Sequence, residues 1–266
     1  MRRLLPLTLL LAIAACGKPA ASTGSGAPPP SDSGQSGPSD PGPIDPATVG
    51  TISGVVKLEG WLKPDGIVPI GQNAYCSSLH PNGPPQGDSL VLGDGQAMAN
   101  VFVQVKSGLG RRRFSPPGDP VILDQKGCIY SPHVVSLMAN QPLLVRNSDE
   151  TLHNIHGSPK LSAVFNFGQA SKGMEATVKI PLPEPEIVVK CDVHSWMNSI
   201  IHVTSHPFHC VTGKDGVFKL EGLPPGEYEI EARHERFPKS ALVQRVKLEP
   251  KGAVKCDFTF KGGTKP

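Results

Sequence analysis

The sequence predicts an all-β protein built as two β-sandwiches. Three observations carry this. Short runs rich in β-branched residues recur between Gly and Pro punctuation, at 51–58, 101–105, 121–123, 143–146, 187–190, 200–203, 217–220, 228–232, 242–248 and 254–260. Helix signals are nearly absent, which argues for antiparallel sheets packed face to face. The stretch 50–262, about 210 residues, is long enough for two small cores.

Taken in order, residues 1–16 read as a targeting segment. Arg2 and Arg3 form a positive start, and the apolar run 4–15 is too short to span a membrane. It ends in Ile13-Ala14-Ala15-Cys16. Small residues before a cysteine resemble the lipobox of bacterial lipoproteins. That resemblance implies a diacylated Cys16 as the mature N-terminus. Lys18 stands where an Asp would favour inner-membrane retention, so the implied anchor is in the outer membrane, on its periplasmic or surface side. An ordinary cleaved signal with a chance cysteine is the competing reading. Residues 17–49 are Gly, Pro, Ser, Ala and Asp with little apolar content, which predicts a disordered tether with a reach of about 30 Å.

The formal charge of the whole chain is only +3, which gives no support to nucleic-acid binding. The one basic run, Arg111-Arg112-Arg113, reads as a solvated loop, with a docking patch for an acidic partner as the alternative.

The stretch with chemistry is Cys191-Asp192-Val193-His194-Ser195-Trp196-Met197, at the end of a β-rich run. A second imidazole, His153, follows the strand-and-turn segment Leu143-Leu144-Val145-Arg146-Asn147-Ser148-Asp149. A loop of the form Cys-x2-His-x2-Met folds three donors around one ion at a strand end, and the fourth comes from a neighbouring strand. Thiolate and thioether are soft donors that suit Cu(I), and imidazole suits both copper states. Met is a poor ligand for zinc or calcium.

These residues, with the strand Tyr130-Ser131-Pro132-His133-Val134-Val135 and the His153-Asn154 pair, resemble the cupredoxins, the type 1 copper proteins, over residues 111–204. The short interval from His194 to Met197 is most similar to amicyanin. The resemblance implies a Greek-key sandwich with one copper. His153, Cys191 and His194 would be equatorial ligands and Met197 the axial one. It also implies that His194 lies near the surface as the electron port and that Asn154 steadies the loop around the thiolate. Trp196 is either an apolar docking face beside His194 or core packing. His156 points elsewhere on an extended chain.

Residues 211–232 include Lys214-Asp215-Gly216, which suits a tight turn, and Tyr228, Ile230 and Ala232 alternating with Glu227, Glu229 and Glu231. This run is similar to carboxypeptidase regulatory-like domains, which are prealbumin-like (transthyretin-like) sandwiches. The strands such a domain begins with match Gly54-Val55-Val56 and Ala99-Asn100-Val101-Phe102-Val103. The expected organisation is a discontinuous regulatory-like domain, residues 50–110 and 205–262, with the copper domain 111–204 inserted. Three consecutive pieces are the plainer alternative.

After Cys16 and Cys191, four cysteines remain, and an exported chain meets oxidising conditions. The expected disulfides are Cys210–Cys256 within the outer sandwich and Cys76–Cys128 between the two. Two metal alternatives are open: a Cys2His2 site from Cys76, His80, Cys128 and His133, and a triple-histidine site from His202, His206 and His209. No hydrolytic triad or carboxylate pair stands out. The expected role is therefore a membrane-anchored, one-electron copper carrier with a redox protein partner, not an enzyme. Copper storage, delivery or sensing is the second class, and a metal-free structural envelope module the third.

Overall fold

The computed structural model describes residues 42–266. The targeting segment, Cys16 and most of the expected tether lie outside the described residues. Residues 42–49, expected to be unstructured, instead form a turn on the folded head. The Ala47 N–H donates to the Asp45 side chain at 2.9 Å. The Lys251 N–H donates to the Thr48 carbonyl at 2.9 Å, and Ile44 packs against a core. One apolar residue beside an Asx-type turn is enough to dock this end.

Two strands open the fold, β1 (Gly50–Glu59) and β2 (Phe102–Ser107). Nine follow: β3 (Val121–Gln125), β4 (Tyr130–Ser131), β5 (Val134–Met138), β6 (Leu143–Asn147), β7 (His153–Gly157), β8 (Phe165–Gln169), β9 (Glu175–Val178), β10 (Glu184–Lys190) and β11 (Asn198–Thr204). The last six are β12 (His209–Val211), β13 (Val217–Leu223), β14 (Gly226–Arg233), β15 (Leu242–Leu248), β16 (Ala253–Lys255) and β17 (Phe258–Lys261). The molecule is all-β, as its punctuated β-branched runs require.

The strands form four sheets. One has the order β13-β1-β16, with β17 also paired to β1, and it faces a second, β12-β2-β14-β15. Ile52, Val56, Val103, Phe218, Ile230 and Phe258 fill the space between them. The other two are β5-β11-β10-β7-β8 and β4-β3-β6-β9. Leu123, Leu137, Val145, Ile155, Val189 and Ile201 lie in their shared core. Each core forms because apolar side chains alternate along strands such as β1 and β6, burying one face and leaving the other half-exposed.

The sheets are not purely antiparallel, contrary to the expectation. β5 runs parallel to β11, β3 to β6, and β1 to both β16 and β17. Between β3 and β6 the chain enters the facing sheet as β5 and returns. Such a crossover lets the returning strand keep its direction.

The expected Cys210–Cys256 disulfide is absent: both thiols are free. Cys210 sits on β12, beside β2 and in contact with β13, whereas the thiol of Cys256 meets Gln244 of β15 at 3.5 Å. β13 and β16 flank β1 on opposite sides, which holds the two cysteines at opposite edges. Cys76 and Cys128 do form a disulfide.

That disulfide fastens the long connection between β1 and β2. Within the connection, the short helix α1 (Ala74–Ser78) is capped by the Asn73 side chain, which accepts the Cys76 N–H at 3.0 Å. The connection starts in the first sandwich, yet Ile70 and Cys76 are buried in the core of the second. Cys76 is 0% exposed.

His133, at the entry to β5, ties the two sandwiches electrostatically. Its ring lies between Asp88, 3.1 Å from Nδ1, and Glu235 in the turn after β14, against Nε2. Burial opposes the imidazolium. The hydrogen bond to Glu235 and the charges of Glu235, Asp88 and Asp65 outweigh it, so the pKa of His133 is raised. A raised folded-state pKa stabilises the fold most below the unfolded value, about 6.5, and the contribution is lost as pH rises through the folded value. We therefore expect His133→Gln to cost about 1–3 kcal/mol near pH 6 and progressively less towards alkaline pH. Urea melts of both proteins across that range measure it, and a difference that grows with pH would contradict it.

Candidate metal centre

The site lies at one rim of the second sandwich and is assembled from two turns. The first joins β6 to β7. The Asn147 side chain accepts the Asp149 N–H at 2.9 Å and donates to the carbonyls of Thr151 and Gln169 at 2.8 and 2.9 Å. This fixes the turn that aims Asp149 inward. The Asp149 carboxylate then accepts the N–H groups of Gly127 and Cys128, each at 2.8 Å, and faces His153 Nε2 at 3.0 Å. Asp149 thus holds Nε2 of His153 and leaves Nδ1 turned toward His194, the kind of carboxylate contact that orients a histidine ligand.

The second turn joins β10 to β11. The Cys191 N–H donates to the Met197 carbonyl at 3.2 Å, and the Met197 N–H to the His194 carbonyl at 2.9 Å. The His194 N–H donates to the Cys191 sulfur at 3.3 Å. Asn154, next to His153, accepts the Asp192 N–H at 2.9 Å and so ties one turn to the other.

The two turns bring the expected donors together. Nδ1 of His153 lies 3.1 Å from Nδ1 of His194, and the latter lies 3.9 Å from the Cys191 sulfur. One nitrogen from each histidine and the Cys191 sulfur all fall within 4.8 Å of one another. Metal–nitrogen bonds of about 2.0 Å and metal–sulfur bonds of about 2.3 Å place such donors roughly 3.3–3.8 Å apart. The residues thus fit one ion. Met197 is buried in the same cluster at 1% exposure.

The electrostatics favour an anionic sulfur. Burial opposes the thiolate of Cys191. Hydrogen bonds from His153 and from the N–H groups of Asn154, His194 and Val193 outweigh it, and the pKa falls below the ordinary thiol value. Burial, then the charge of His153, lower the pKa of His194 and keep it neutral. Burial opposes a charge on His153 as well, but its hydrogen bonds to Asp149 and Cys191 outweigh this and raise its pKa, so a metal on Nδ1 would displace a proton there. The set a metal would then meet is a thiolate, two imidazoles and a thioether, a soft combination suited to copper.

One expectation fails here. His194 is not a surface group: it is 2% exposed. The β1–β2 connection covers it, with Asn73 Nδ2 at 3.3 Å and Cys76 Sγ at 3.6 Å from Nε2. Trp196 closes another side, its ring centroid 5.2 Å from that of His194 and its indole N–H on the Cys128 carbonyl at 2.9 Å. Trp196 is half-buried.

The two alternative metal groups do not converge. Cys76 and Cys128 are bonded to each other, His80 meets the Gly127 carbonyl at 2.8 Å, and His133 is held by its carboxylates. His202 stacks on Phe102 with ring centroids 4.1 Å apart. His206 faces the Val105 carbonyl and His209 the Ser136 hydroxyl. His156 points outward to Asp192 at 3.1 Å. Arg111 and Arg113 are exposed.

Asp149 and Asn73 are the site residues that reading the sequence did not find. Asp149 carried a signal, since it lies four residues before His153 within the Asn147-Ser148-Asp149 turn. Asn73 carried none, being more than a hundred residues from His194, and Cys76, expected to pair with Cys128, was not expected beside that ring.

No protein-family model matches the chain, and no curated protein matches it. Solved structures overlap part of it. A copper-containing nitrite reductase from Thermus scotoductus is 20% identical, over 39% of this chain and 26% of its own, with a TM-score of 0.29. The chain thus spans about a quarter of that reductase. A purple cupredoxin from Nitrosopumilus maritimus is 17% identical, over 31% of this chain and 98% of its own, with a TM-score of 0.27. A reduced tryptophan-to-tyrosine variant of amicyanin is 14% identical, over 38% of this chain and 98% of its own, with a TM-score of 0.30.

Replacing Asp149 with Ala removes the carboxylate that orients His153. We expect a loss of metal affinity of about 10–100-fold, the usual cost of removing an outer-shell partner. Competition titration with a copper chelator, alongside circular dichroism to confirm the fold, measures it. Unchanged affinity would mean that the sandwich alone orients the ring.

Proposed function

We propose that this chain is a type 1 copper protein that carries single electrons at the cell envelope. The observation that carries the reading is the convergence of His153 Nδ1, His194 Nδ1 and the Cys191 sulfur in one buried cluster; Met197 is buried in the same hydrophobic core as Cys191. Copper, when bound, supplies a one-electron couple. The chain's own residues do the rest. Asp149 fixes the His153 ring. Backbone N–H groups stabilise the Cys191 thiolate, and Met197 would offer a weak thioether donor that tunes the potential. Two hydrogen-bonded turns on paired strands hold the donors in place, so little need move when the charge changes.

The role is that of a carrier, not an enzyme. All four donor residues are no more than 3% exposed, and catalytic metal sites keep a position open to substrate. The same closure favours a carrier over a protein that delivers copper, because release would require moving the covering connection. Storage or sensing uses the same ligands, and a metal-free envelope module is the reading left if no copper binds. The partner is a redox protein whose identity the chain does not specify. On the outer-membrane reading, Cys16 carries the lipid and residues 17–41 hold the head off the surface; among the described residues no helix is long and apolar enough to cross a membrane.

Copper-loaded protein should show intense visible absorption from thiolate-to-copper charge transfer, and Cys191→Ser should abolish it. A variant that kept the colour would remove Cys191 from the ligand set. Mass analysis of the mature protein is expected to find diacylglycerol on Cys16. A mature N-terminus elsewhere would remove the anchor.

A further inference from the structure

We propose that Cys76, Cys128 and Nε2 of His194 form a second metal site, for Cu(I), when the Cys76–Cys128 disulfide is reduced. The site shares His194 with the proposed copper centre but uses the opposite nitrogen. Nδ1 of the ring faces His153 and Cys191, while Nε2 faces Cys76 Sγ, to which Cys128 Sγ is bonded. Both cysteine sulfurs and one His194 nitrogen lie within 4.8 Å of one another, and all three residues are buried. The distance from Cys76 Sγ to His194 Nε2, 3.6 Å, is close to the roughly 3.5 Å expected for sulfur and nitrogen bound to one metal.

The donors do not depend on the sulfur–sulfur bond for their placement. On one side, the Cys76 N–H is held by the Asn73 side chain at 3.0 Å, and the Tyr75 hydroxyl accepts the Glu150 N–H at 2.6 Å. On the other, the Cys128 N–H is held by Asp149 at 2.8 Å, and its carbonyl accepts the Trp196 indole N–H at 2.9 Å. His80 bridges the two sides at the Gly127 carbonyl, 2.8 Å away. Breaking the disulfide therefore leaves two thiols facing the same imidazole.

The chemistry of the set selects the metal. Two thiolates and one imidazole are soft donors for Cu(I), and among the described residues no fourth His, Cys, Asp or Glu joins this group to complete the tetrahedron that structural zinc prefers. The step that opens the site needs a dithiol reductant. Two electrons and two protons pass to the disulfide, its bond breaks to give two thiols, and the donor closes its own disulfide. Cu(I) then replaces the two thiol protons and, where Nδ1 of His194 is already bound in the first centre, the Nε2 proton as well, leaving a bridging imidazolate; all of these protons leave to solvent.

The test counts Cu(I). Full-length head is titrated with Cu(I) against a colorimetric chelator, once as purified with the disulfide closed and once after phosphine reduction. The expected result is one further equivalent in the reduced protein, lost again in reduced Cys76→Ser. Cys210 and Cys256 are free thiols in both states and so cancel in the difference. Equal stoichiometry before and after reduction overturns the proposal, as does an extra equivalent that survives in Cys76→Ser. If that variant does not fold, the comparison of the two wild-type states decides alone. The visible band of the oxidised protein reports the first centre separately, so failure of the carrier reading and failure of the second site are told apart.

Discussion

The Asp149 carboxylate is the constraint on which the rest of the rim depends. It accepts two backbone N–H groups from the Gly127-Cys128 turn and faces Nε2 of His153. Burial raises its pKa, but the hydrogen bond from His153 and those from Cys128 and Gly127 more than offset this, and its pKa is lowered. One charge thus orients a metal donor and seats a disulfide partner. A buried carboxylate with fewer partners would be costly, so the Gly127-Cys128 turn and the His153 ring are set by the same group.

The covering connection changes what a rim of this kind does. Asn73 and Cys76, which come from the chain between β1 and β2, lie over Nε2 of His194. The Asn73 amide has a defined orientation, since its oxygen caps α1 through the Cys76 N–H. Its nitrogen therefore points at His194. These contacts cover that side of the imidazole, and a metal held there would exchange only when the connection moves.

Much of the fold was legible because apolar alternation is a local property. The runs at 51–58, 143–146 and 228–232 became β1, β6 and β14 almost as read. β7 and β12 were missed because His153-Asn154-Ile155-His156-Gly157 and His209-Cys210-Val211 are short and polar, and their pairing is set by neighbours. The meeting of His153, Cys191 and His194 was legible because ligand chemistry restricts residue type, and two of the three sit in one seven-residue loop. The burial of His194 was not, because it depends on a segment whose composition says nothing of where it packs. The pairing of Cys210 with Cys256 was wrong for a related reason. Alternation placed Cys256 on a buried face, and it is 1% exposed, but burial does not say which edge of a sheet a side chain borders.

The topology explains why the two sandwiches belong together. β1 and β2 are neighbours of β12–β17, while β3–β11 pair only among themselves. The chain therefore leaves the first sandwich twice: once as the connection that covers the metal rim, and once to build the second sandwich. Ile70 and Cys76 of the connection are buried in the second core, and Val68 and Tyr75 pack against it. The disulfide adds loop-closure stabilisation of about 4 kcal/mol for a loop of this size. The cover over His194 is thus held by packing, by a bond whose state depends on the thiol chemistry outside, and by polar contacts that survive its loss. Closure and the chance of opening come from the same pair of sulfurs.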